Sequence, residues 1–93
     1  MAALTLTVVD YLNALNALQE RRARVLQDIQ PAKAAVREAL LYDAIRSSEY
    51  AADELELCRT ALDRLLDDRA TCDAAIEALT FAVDHIQHTK EAP

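Results

Sequence analysis

The chain contains no glycine. Glycine reaches left-handed backbone angles without steric cost, so tight two-residue hairpin turns have no ready supplier here. Architectures built on repeated β-hairpins are therefore disfavoured. Glycine-rich loops that cradle phosphates are excluded, and with them P-loop and dinucleotide-binding sites. Alanine and leucine, both strong helix formers, fill 33 of the 93 positions. An all-α chain remains, and this length supports one domain.

A seven-residue apolar period runs along both halves. Val8, Leu15, Ile29 and Val36 form one series, and Tyr11, Leu18, Val25, Ala32 and Ala39 form its companion. Leu12, Leu26 and Leu40 widen this stripe on one side. The result is a core-facing stripe, broader than the two-position seam of a bare coiled coil. In the second half Leu55, Leu62, Ile76 and Val83 hold one position, and Cys58, Leu65, Cys72, Leu79 and Ile86 hold the other. Only Arg69 interrupts the first of these series.

The one convincing turn is Arg46-Ser47-Ser48-Glu49, at the midpoint. Ser47 or Ser48 can cap a new helix, and Glu49, Asp53 and Glu54 suit its positive end. The expected boundaries are an extended lead-in over 1–7, a first arm over 8–46, a second arm over 48–88 and a frayed tail over 89–93. Thr7 is the expected N-cap of the first arm, with Asp10 three residues on and Leu6 and Tyr11 at staple positions. The alternation of Leu4, Leu6 and Val8 with Thr5 and Thr7 leaves strand addition to a partner as the other reading of the lead-in.

Pro31 falls inside the first arm, where proline removes a backbone hydrogen bond and clashes with the preceding turn. The apolar phase nevertheless continues from Ile29 to Ala32 to Val36. A kinked but continuous helix is expected, with a break at Pro31 as the alternative. Two arms of similar length joined by one short turn make a long antiparallel helical hairpin. Each helix of a hairpin has one neighbour, so a wide stripe leaves apolar surface over. That surplus is expected to pair hairpins into a four-helix bundle or to hold a partner. A break at Pro31 would instead allow a three-helix monomer.

Charge narrows the function classes. The net charge is −6. Residues 1–46 carry six bases and five acids, a net of +1, and residues 47–93 carry four bases and eleven acids, a net of −7. Nucleic-acid binding needs a cationic surface, so it is not expected. No run approaches the roughly 18 apolar residues of a membrane span. The start, Met1-Ala2-Ala3-Leu4, lacks the basic segment and apolar core of a signal peptide, so none is expected. Cys58 and Cys72 lie fourteen residues apart, about 21 Å along one helix, too far for a mutual disulfide. Reduced thiols and a cytoplasmic location are expected, with an intermolecular disulfide as the other possibility.

Catalytic chemistry finds little support. There is no Glu-x-x-His, no Cys-x-x-Cys and no His-Glu-x-x-His. His85 and His88 are three apart, but the period places them on the polar side near a chain end. Both cysteines lie on the apolar stripe, where Cys acts as a small hydrophobe. A thin hairpin also offers no deep cleft for a small substrate. No enzyme, metal or cofactor role is expected.

Three groups of residues stand out. Arg22 and Arg69 occupy otherwise apolar stripe positions and fall near the same level of the hairpin. They can snorkel to the edge, or form a polar layer that fixes register with Glu20, Asp28, Asp68 and Asp73 within reach, or bind an acidic ligand. Leu41, Tyr42, Ile45, Tyr50 and Leu57 crowd the turn, either closing it locally or forming a patch for another protein. Val9 and Phe81 form a smaller cluster at the open end, read as cover for the lead-in. The acidic face of the second arm includes Glu49, Asp53, Glu56, Asp63, Asp67, Asp73, Glu77 and Asp84. Such a run is a solvated helix face or a docking surface for a basic target.

These features point to a non-enzymatic protein–protein interaction module: an adaptor, assembly factor or small helical chaperone. It would act as a homodimer, through a partner helix, or both, without nucleic acid, membrane or small-molecule substrate. The alternative is a small acidic inhibitor of phage type, docking on a basic surface and possibly mimicking nucleic acid.

Overall fold

The computed structural model describes the backbone of residues 6–91 and the side chains of residues 6–87. The fold is two long helices, α1 (Val8–Arg46) and α2 (Glu49–Glu91), packed against each other as a hairpin. At 1.5 Å per residue the arms are about 58 and 64 Å long, and the molecule measures 70 × 29 × 15 Å. Among the described residues there is no strand, and no helix is long and apolar enough to cross a membrane.

The helix ends form as their sequences dictate. The Asp10 N–H donates to Thr7 Oγ1 at 3.3 Å, and the Thr7 N–H donates to Asp10 Oδ2 at 2.8 Å. This reciprocal capping box satisfies donors that the first turn leaves unpaired. Leu6 stays exposed, so a staple onto Tyr11 covers little of it. Residues 1–5 of the expected lead-in lie outside the described residues. At the turn, Ser47 ends α1, its N–H donating to the Asp43 carbonyl at 2.8 Å. Ser48 begins α2, its Oγ accepting from the Ala51 N–H at 3.1 Å. The second arm continues to Glu91, past the expected boundary at His88.

Pro31 does not divide the first arm; α1 runs through it as one helix. The break, and the three-helix monomer built on it, are overturned. Pro31 is exposed, so the ring points away from the seam, and Ile29, Ala32 and Val36 keep their places on it.

The core is a narrow seam. The α1 series running at sevens from Val8 and from Tyr11 is buried or half-buried as far as Asp43 and Ala39 respectively. In α2 the series from Ala51 and from Leu55 behave in the same way. Among the described residues, Val25, Ile29, Ala51, Leu55, Cys72 and Val83 are the buried hydrophobic ones. The surplus expected beside the seam is present: Leu12, Leu26 and Leu40, which widen the α1 stripe, are 45%, 36% and 42% exposed. A helix with one neighbour can bury two of every seven positions, and the third lies beyond the contact.

The geometry leaves much surface uncovered. A compact chain of 93 residues has a radius of gyration of about 12 Å; this one has 20.5 Å. A compact monomer of this mass exposes about 5,400 Å²; this chain exposes 7324 Å².

Candidate functional site

The polar positions predicted inside the stripe are only partly satisfied. The Arg22 Nε donates to Asp73 Oδ1, with both side chains about half exposed. The arginine stem packs at the seam and its head leaves it, which is snorkelling with an ion pair added. Arg69 is half-buried and takes part in neither of the two ion pairs found among the described residues. The second of those pairs joins Arg21 to Asp68 at 3.3 Å, again half exposed. Arg21 was not singled out from the sequence. Its signal was present: Arg21 and Asp68 both precede a stripe residue by one, and such flanking positions oppose each other in an antiparallel pair.

The turn residues remain on the surface rather than closing the turn. Leu41, Tyr42, Ile45, Tyr50 and Leu57 are 52–78% exposed. Tyr42 and Tyr50 line a groove of about 530 Å³ between the helices, whereas Leu57 lines a smaller depression of about 300 Å³ beside Asp53, Glu56 and Thr60. Leu41 and Ile45 line neither.

The groove is built from small seam residues and large flanking ones. Ala39, Ala51 and Cys58 lie on the seam and form its floor, with Ala35 beside them. Alanines at this end keep the floor low, because their side chains stop at Cβ. The rim carries Glu38 and Tyr42 on α1, and Tyr50 and Glu54 on α2. Each helix thus presents a carboxylate and a phenol ring one turn apart on one face. The two sets are placed symmetrically about Arg46, four and eight residues to either side. Neither Glu38 nor Glu54 is in an ion pair among the described residues, and no lysine or arginine lines the groove.

Sequence reasoning had noticed the tyrosines but not Glu38, and it treated Cys58 as core. Cys58 is only half-buried and Cys72 is 1% exposed; both are free thiols. The acidic face lies in solvent, with Asp63, Asp67, Asp73 and Glu77 all exposed and Asp73 drawn to Arg22. At the open end, Val9 and Phe81 are exposed, and the Phe81 ring stacks on His85 with centroids 6.4 Å apart. Residues 1–5 of the lead-in they were expected to meet, and the His88 side chain, lie outside the described residues. Among the described residues no group of three His, Cys, Asp or Glu is placed to hold a metal ion.

The chain matches no protein-family model, no curated protein and no solved structure.

Proposed function

We propose that the protein is a non-enzymatic protein–protein interaction module, an adaptor, assembly factor or small helical chaperone, whose hairpin pairs with a second copy in a four-helix bundle. One observation carries this reading. The α1 stripe is three positions wide, and the third, Leu12, Leu26 and Leu40, is left in water by the hairpin. A helix in a bundle needs that third position because it has a second neighbour; a helix in a two-stranded seam does not. The surface excess fits as well. About 2,000 Å² beyond a compact monomer is more than the roughly 800 Å² per partner of a standard interface. Free thiols at the seam are in keeping with a reducing, cytoplasmic setting.

The test is a Leu26→Glu, Leu40→Glu variant in analytical ultracentrifugation. The unchanged chain sediments as a dimer and the variant as a helical monomer. A variant that remains dimeric removes this face from the assembly.

The exposed acids of α2 support a second reading, an acidic inhibitor of a basic target. The two readings separate on Asp63→Lys, Asp67→Lys and Glu77→Lys together. Under the first, self-association survives. Under the second, the protein loses its ability to displace duplex DNA from protamine.

A further inference from the structure

The groove at the turn end has a chemistry the dimer reading does not use. Its floor is apolar and low, its rim carries two exposed phenol rings, and its charged liners are both carboxylates. Those carboxylates lack ion-pair partners among the described residues. A tyrosine face attracts a cation through its ring quadrupole, and a neighbouring carboxylate adds a charged hydrogen-bond acceptor. Guanidinium suits both, because it stacks on rings and forks onto carboxylates. The apolar floor takes the hydrocarbon part of the same ligand. We propose that this groove docks an amphipathic helix of a partner protein, apolar on one face and carrying arginine at its edge, with Glu38 and Glu54 receiving the arginines and Tyr42 and Tyr50 flanking them. This deepens the interaction-module reading by naming the partner's chemistry, and it does not depend on dimerisation.

Charge argues for this occupant over a second copy. Leu41, Ile45 and Leu57, the large apolar residues nearest the turn, line no part of the groove. Each copy carries a net charge of −6, so a second copy brings like charge to Glu38 and Glu54. The exposed bases Arg37 and Arg46 stand beside groove residues on the same chain, but neither lines the groove.

The probe is an 18-residue capped peptide of leucine and arginine in a helical pattern, with the leucine–glutamate peptide of the same pattern as control. Binding is measured by calorimetry. Occupancy is read from alkylation of Cys58 by iodoacetamide, followed by mass spectrometry, with buried Cys72 reporting any unfolding. The arginine peptide is expected to bind one per hairpin and to slow Cys58 alkylation at least tenfold while Cys72 stays unlabelled. Glu38→Gln with Glu54→Gln should weaken binding by about tenfold, and Asp63→Asn with Asp67→Asn should leave it within about twofold. Equal binding of the glutamate peptide, unprotected Cys58, or an equal loss in the Asp63 and Asp67 variant would overturn the proposal. So would Cys58 protection that rises with protein concentration alone, which assigns the groove to a second copy. Peptide binding by a chain that stays monomeric would retain the groove and refute the self-association reading.

Discussion

Midway along the hairpin the positions flanking the seam carry Arg21 and Asp68, which close over it as an ion pair. Three heptads along α1 from Arg21 stands Tyr42, and two heptads back along α2 from Asp68 stands Glu54. These equivalent positions line an open groove. The floor changes too. Val25, Ile29 and Cys72 fill the middle of the seam, while Ala39 and Ala51 leave the turn end shallow. One seven-residue rule therefore produces a sealed segment and an unsealed one, depending on side-chain volume at the seam and charge beside it. In a fold without a deep interior, open surface arises where the sealing residues are missing.

The largest expected effect separates filled seam from bare surface. Ile29→Ala should destabilise by about 2–5 kcal/mol, the usual range for emptying a buried aliphatic site, because Ile29 is 3% exposed. Ile45→Ala at the turn should change stability by less than about 0.5 kcal/mol. Urea denaturation followed by circular dichroism compares the two, and similar losses would mean the turn end is packed as tightly as the middle. Next comes Pro31→Ala, which restores a helical hydrogen bond on the exposed side of α1. It should stabilise the hairpin by about 2 kcal/mol, read as a rise in Tm. A fall in Tm would mean that the proline shapes the seam.

Smaller effects test the ends and the seal. Ser48→Ala removes the acceptor for the Ala51 N–H and should lose about 1 kcal/mol. A double-mutant cycle on Arg21 and Asp68 should give under about 1 kcal/mol of coupling, since both side chains are half exposed, and added salt should reduce it further. Coupling well above that would make the pair a structural clasp rather than a cover.

Much of the fold was legible because helical periodicity is a one-dimensional signal. The seam residues, the Thr7–Asp10 cap and the serine turn could all be read from spacing and residue type. The unbroken phase through Pro31 also favoured one helix over two. The surplus at Leu12, Leu26 and Leu40 was legible as well, because a stripe reports what a helix can bury and a hairpin gives each helix one neighbour. Arg21 with Asp68, and the pairing of Glu38 with Glu54 across one groove, depend on the register between arms. A shift of one turn would have placed other residues together, so neither follows from either helix alone.

The account's central claim is that the third stripe position on α1 is covered by a second hairpin. Static light scattering across a concentration series tests it most directly. The predicted result is a mass twice the 10.3 kDa of one chain, constant over the micromolar range. A folded helical species holding the mass of one chain at every concentration would contradict it.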